Sequence, residues 1–231
     1  MTRAGSAIVA ALALAGAAAP FAEAAPRFDQ LVVFRDGTAK SATVGTARTH
    51  TRASGRRCAV PRATPLAALV RSDVAKLRVR DFSGSCDPSS LFVRAIGPDE
   101  NRGDSGWVYK VGNRQGTTAA SDPSGPFGSG RPKRRVRVTW FYCVFRAGGC
   151  QRTLGLRVRD EGGGTVSARV TAYDDEGRGT RLAGVTVRAG DRSARTDANG
   201  VATLTLSPGR HRLYAEKAGT IRSFNDRVRV E

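Results

Sequence analysis

The strongest constraint on this chain's fold is how regularly its last eighty residues break into short alternating runs. Leu154–Arg159, Val166–Tyr173, Val185–Val187, Val201–Leu206, Arg210–Ala215 and Val228–Val230 alternate apolar with polar residues. Turn signals separate them: Gly162–Gly164, Asp174–Gly177, Asn199-Gly200 and Pro208-Gly209. Period two puts each run on one face of a sheet, and turns every ~8–12 residues are the mark of a β-sandwich. Residues 151–231 are therefore expected to form an all-β sandwich domain with no helix.

Residues 25–150 read differently. Leu31–Phe34 is a short strand stopped by Asp36-Gly37. Thr64-Pro65 opens a helix, with Thr64 as cap, Pro65 in the first turn and Leu66, Leu69 and Val70 on one face. Leu77–Arg80, Leu91–Ile96 and Gly106–Val111 are strands, and Arg135–Phe145 is a long closing strand in which Val136, Val138, Trp140 and Tyr142 on one face alternate against Arg135, Arg137, Thr139 and Phe141 on the other. Residues 116–132 are rich in Gly, Ser and Pro and are expected as an exposed loop. Strands with one helix predict an α+β domain.

Residues 1–24 have the form of a secretory signal. Arg3 is followed by an uncharged run over Ala7–Ala19 and the small-x-small site Ala22-Glu23-Ala24. No transmembrane segment is expected after cleavage. The four cysteines, Cys58, Cys86, Cys143 and Cys150, are then expected in disulfides rather than in a metal site, since no close pair with a nearby His occurs. Three connectivities are open to four cysteines; the favoured one joins Cys143 to Cys150, because Ala147–Gly149 suits a tight reversal between them, and then Cys58 to Cys86. Secretion, or residence in the cell envelope, follows as the expected location.

The formal charge is +18, from 38 Lys+Arg against 20 Asp+Glu. The 25–150 stretch carries 22 basic and 9 acidic residues, so the excess concentrates there. Arg131, Lys133, Arg134, Arg135 and Arg137, with Arg52, Arg56 and Arg57, form a candidate polyanion-binding face. An anionic cell-envelope polymer, or another envelope protein, is the partner class this implies. Nucleic acid is not expected, because no aromatic interleaving or nucleic-acid-binding motif accompanies the charge. Trp107, Tyr109, Trp140 and Tyr142 are a second candidate, a small-ligand groove built from alternating aromatics.

Other motifs carry less. Gly103-Asp104-Ser105-Gly106 resembles the nucleophile loop of trypsin-like proteases, but His50 lacks the sequence context of a triad histidine. Arg102-Gly103-Asp104 spells an integrin-binding tripeptide of a kind that arises by chance in an Arg/Gly/Asp-rich chain. Asp197, Asn199 and Gly200 are a fragment of a calcium loop without its remaining ligands. No cofactor, metal or catalytic residue is expected.

Two stretches also resemble known families. Gly106-Trp107-Val108-Tyr109-Lys110-Val111, the Trp140-Phe141-Tyr142 end of the closing strand and the helix at Thr64–Leu69 resemble β-grasp-like domains related to the C-terminal domain of transcobalamin. Gly112-Asn113 stands where that family usually has Asn-Gly. Leu182–Val187, Thr196–Ala202 and Leu206–His211 resemble carboxypeptidase-regulatory-like and collagen-adhesin B-type modules. The first resemblance implies a β-grasp-like α+β fold and, more remotely, a cobalamin-like ligand. The second implies an immunoglobulin-like (prealbumin-like) sandwich serving as spacer or platform. Together they imply a non-catalytic binding or envelope-associated protein, with a small-ligand carrier or an accessory module of an envelope complex as alternatives.

Overall fold

The computed structural model describes residues 27–124, 136–146 and 148–231. The signal sequence expected over residues 1–24 lies outside them, as do Arg131, Lys133, Arg134 and Arg135. The strands, in chain order, are β1 (Arg27–Val33), β2 (Ala39–Gly45), β3 (Thr49–Ala53) and β4 (Arg56–Val60). After the helix α1 (Pro65–Ser72) come β5 (Leu77–Asp81), β6 (Leu91–Ile96), β7 (Asp99–Glu100), β8 (Gly106–Val111), β9 (Arg114–Gln115) and β10 (Val136–Cys143). The rest are β11 (Thr153–Gly162), β12 (Thr165–Tyr173), β13 (Gly179–Arg181), β14 (Thr186–Ala189), β15 (Arg192–Arg195), β16 (Val201–Thr205), β17 (Gly209–Glu216) and β18 (Asp226–Val230). The protein is mostly β, in several sheets.

The first ten strands make two five-stranded sheets, ordered β2-β1-β10-β8-β9 and β4-β3-β5-β6-β7. One apolar cluster lies between them. Phe28, Val32, Val138, Trp140 and Tyr142 come from the first sheet, and Ala53, Cys58, Val60, Val79, Leu91 and Val93 from the second. The helix adds Leu66, Ala67, Ala68 and Leu69. Thr64 caps it, its Oγ1 accepting from Ala67 N at 3.2 Å. Asp73 ends it in the left-handed region at φ 46°.

The last eight strands make two four-stranded sheets. In one, β12 holds β11 on one edge and both β13 and β16 on the other; the second is ordered β15-β14-β17-β18. Leu156, Val166, Ala168 and Val170 of the first meet Val187, Leu213, Ala215 and Val230 of the second around one core, an arrangement compatible with a β-sandwich. The Asn199-Gly200 turn requires its glycine. Gly200 has φ +71°, and a Cβ there would meet the Val170 carbonyl oxygen at 2.8 Å.

Two expectations change on folding. The closing strand was expected to have one buried face, yet Phe141 and Cys143 on its other face are also buried. They join Leu31, Val33 and Ile221 in a third cluster against which Phe224 packs, so the segment between β17 and β18 covers this part of the first sheet's outer face. Residues 116–132 are expected as an exposed loop; residues 125–132 lie outside the described residues, and within 116–124 Ala120 and Ser121 are buried. The Ala120 carbonyl accepts from Leu66 N at 2.8 Å, and Ser121 Oγ donates to the Pro88 carbonyl. Buried backbone needs partners, and here the loop finds them in the helix start and the 88–90 turn. The hairpin of β3 and β4, absent from the expected elements, forms from a sequence too polar to show an apolar alternation.

Candidate functional site

Both disulfides form: Cys58–Cys86 ties β4 to the loop after β5, and Cys143–Cys150 closes the turn after β10. Next to the first bridge, Asp81 organises its loop. Its Oδ2 accepts from Cys86 N at 2.8 Å, and its Oδ1 accepts from Ser83 N, Ser83 Oγ and Ser90 Oγ. These donors, the Cys86 amide foremost, hold the carboxyl down at about 2. Cys58, Cys86 and Asp81 place their potential ligand atoms within 4.8 Å of one another. Both sulfurs are consumed in the bridge, so the trio is chemically a loop clamp.

The four candidate aromatics are side by side but buried. Trp107 stacks edge-on against Phe34 and against Tyr142, with centroids 5.8 and 5.9 Å apart. Tyr109 leans on Trp140 at 5.3 Å. Three of the polar tips are satisfied: Trp107 Nε1 donates to Asp99 O, Tyr109 OH to Thr118 O and Tyr142 OH to Glu100 O. Among the described residues, Trp140 Nε1 has no hydrogen-bond partner. Trp107, Tyr109 and Trp140 line a cavity of about 190 Å³ with Leu91, Val93 and Ala120. Drug-sized ligands need roughly 300–1,000 Å³, so a ring-sized molecule suits this volume and a corrinoid does not.

The expected basic face is divided. Arg52 and Arg57 sit directly opposite one another on the β3–β4 hairpin, with Arg56 beside its turn. Arg52 and Arg57 alternate with the core residues Ala53 and Cys58, so they project from the outer side of the second sheet, whereas Arg56, paired with Ala53, falls on the opposite side at the hairpin's end. Arg137 alternates with Val138, Trp140 and Tyr142, so it leaves the outer side of the first sheet. With the two sheets packed face to face, these sides point apart. Arg137 therefore does not join the hairpin arginines in one face. It lines a cleft against the C-terminal strands instead.

That cleft was not anticipated. Its N-terminal wall is Val111, Gly112, Asn113, Val136 and Arg137, and its volume is about 910 Å³. The opposing wall is the outer face of β11, β12 and β13, presenting Arg157, Arg169, Thr171, Tyr173 and Arg181, with Asp226 alongside. Arg157 and Arg169 are directly opposite in register, and Arg181 lies opposite Thr171, one step along the same face. None of the three arginines has an ion pair among the described residues.

Lys110 fixes one end of this junction. It is fully buried, donates to Asp174 O at 2.7 Å and Tyr173 O at 3.3 Å, and pairs with Asp175 Oδ1 at 3.2 Å. Burial pulls its pKa down from the usual lysine value, and Asp175 opposes that shift. Gln115 N donates to Asp175 O, and Cys150 N donates to Asp175 Oδ2, so the 174–176 turn is bound to the N-terminal sheets from two directions.

The weaker motifs settle into turns. Arg102 and Ser105 pair across a two-residue reversal, and Ser105 Oγ accepts from Phe145 N. Asp197 Oδ1 accepts from Asn199 N and Val201 N. Among the described residues no helix is long and apolar enough to cross a membrane. Comparison with protein-family models, curated proteins and solved structures gives no match for the chain.

Proposed function

We propose that this is an exported, non-catalytic binding protein of the cell envelope, and that it contacts anionic envelope polymers through exposed arginines. One observation carries the reading. Arginines face one another directly across strands at Arg52/Arg57, Arg157/Arg169, Arg212/Arg227 and Arg210/Arg229, without a carboxylate partner among the described residues. Like charges directly opposite destabilise a sheet. A fold that keeps them gains from a polyanion that neutralises them, and it releases that polymer's counterions on binding. The β-grasp-like and prealbumin-like resemblances fit a protein of this kind, a contact module followed by a platform.

The test is retention on an immobilised polyanion across a salt series. Retention should fall steeply and linearly on logarithmic axes, and should exceed that of an unrelated protein of equal net charge. Equal retention of the two proteins would sink the reading. A second reading, a carrier of a ring-sized ligand, is favoured by the Trp140 indole N–H, which lacks a partner among the described residues beside the 190 Å³ cavity. It predicts that an indole- or benzene-sized acceptor quenches tryptophan fluorescence saturably. A linear, unsaturable response would remove it.

A further inference from the structure

We propose that the cleft between the first sheet and the outer face of β11–β13 holds an acidic oligosaccharide, its carboxylates on Arg157, Arg169 and Arg181 and a sugar ring on Tyr173. This rests on the polyanion reading above and gives it a place and a ligand class.

The charge comes first. Arg157 and Arg169 are cross-strand partners, and Arg181 is the diagonal neighbour of Arg169 on the same face. No carboxylate pairs with any of the three among the described residues. A guanidinium presents a planar fork that matches a carboxylate in two parallel hydrogen bonds. Three forks on one sheet face, spaced by strand geometry, form a row suited to repeated carboxylates.

The platform comes second. Tyr173 lies between two glycines, Gly155 on β11 and Gly179 on β13. A Cβ at Gly155 would meet Tyr173 Cε2 at 2.7 Å, and one at Gly179 would meet Tyr173 Cε1 at 2.8 Å. Neither glycine has a positive φ, so their service here is space. With both side chains missing, the ring occupies the sheet surface between the strands, on the wall of the cleft. A partly exposed aromatic surface beside cations gives the apolar face of a sugar ring a place to stack while its acidic groups reach the arginines.

Asp226 decides between polymers. It lines the same cleft and offers an acceptor there alongside the arginines. Sugar hydroxyls donate to such a group. A DNA backbone brings only acceptors and would be repelled by it, and a polypeptide carboxylate, whose donors are confined to its backbone amides, gains less from it than a sugar does. The cleft's volume, about 910 Å³, is also large enough to hold several sugar units.

The experiment is calorimetric titration of the full chain with a short oligogalacturonate, with polyglutamate and with oligodeoxythymidylate. The wild type should bind the oligogalacturonate about tenfold more tightly than the other two. The triple variant Arg157→Thr, Arg169→Thr, Arg181→Thr should lose about a hundredfold, the expected cost of removing charge-assisted contacts. Its melting temperature should equal or exceed the wild type's, because a like-charge pair is gone, so the loss is not unfolding. Tyr173→Ala should lose about tenfold and Tyr173→Phe should not. If the triple variant binds as the wild type does while Arg52→Thr/Arg57→Thr loses binding, the cleft is the wrong site and the polyanion reading survives. If polyglutamate or oligodeoxythymidylate binds as tightly as the sugar, or Tyr173→Ala is silent, the saccharide assignment is overturned. If no polyanion binds better than to an unrelated protein of equal charge, the parent reading falls with it.

Discussion

Strand β10 carries two kinds of side chain that suggest ligand chemistry, and the fold treats them in opposite ways. Trp140 and Tyr142 turn toward the second sheet and are closed into the core with Trp107, Tyr109 and Phe34. Arg137 turns the other way and lines an open cleft whose facing arginines form no ion pair among the described residues. Lys110, on the neighbouring strand, shows that the fold can satisfy a cation where it needs to, with two carbonyls and a carboxylate around one buried ammonium. The aromatics are thus chiefly structural. The arginines have been left with unused capacity, and that capacity is the better indicator of function.

The largest expected effect tests the structural half of this contrast. Trp140→Ala should destabilise the protein by about 3–5 kcal/mol in denaturant unfolding, since it empties the centre of a shared core. Polyanion affinity of the fraction that remains folded should be unchanged. The bridges come next. By loop length, removing Cys58–Cys86, with a sequence separation of 28, should cost about 3.5 kcal/mol, and removing Cys143–Cys150, with a separation of 7, about 2.5 kcal/mol. Alanine pairs compared by chemical denaturation would show the order, and a reversed order would break the loop-length account.

Lys110→Met should cost about 3 kcal/mol, because it strands Asp175 beside two carbonyls that lose their donor. Protease sensitivity of the 174–177 turn should rise with it. If stability is unchanged, the buried cation is not what holds that turn. Asp81→Asn should destabilise at neutral pH. The Asp81 carboxyl is lowered from 3.8 to about 2 in the fold, so its contribution is complete above the unfolded value and is lost as pH falls through about 2. Melting curves of wild type and variant should therefore converge in strong acid. The smallest effect runs the other way: Arg157→Thr should stabilise by about 0.5 kcal/mol as the like-charge pair disappears. A clear loss of stability there would mean Arg157 is already compensated, and the contrast with Lys110 would fail.

The sequence made some of this legible and hid the rest for identifiable reasons. The Thr64-Pro65 helix start, the Leu91–Ile96 strand and the Asn199-Gly200 turn depend on neighbours in the chain, and they are where local rules put them. The β3–β4 hairpin was hidden because Thr49–Ala53 and Arg56–Val60 owe their strand conformation to the core residues Ala53, Cys58 and Val60 rather than to an alternation of their own. The burial of Phe141 and Lys110 was hidden because the layer that covers them comes from residues more than sixty positions away. The arginine cleft was half visible. Folding the two alternating runs about Gly162–Gly164 places Arg157 near Arg169 on the polar side, but nothing local places Val111–Asn113 and Arg137 opposite them.

The alternation, the turns, the even cysteine count and the surplus of positive charge can be read from the chain alone, because each is set by spacing along it or by composition; the cysteine pairing could only be favoured among three connectivities. Folding settled which charges are spent in ion pairs and which are not. That depends on where distant carbonyls and carboxylates arrive, and electrostatic satisfaction is a property of a few ångströms of space rather than of sequence. Asp175 reached Lys110, and among the described residues no carboxylate reached Arg157, Arg169 or Arg181.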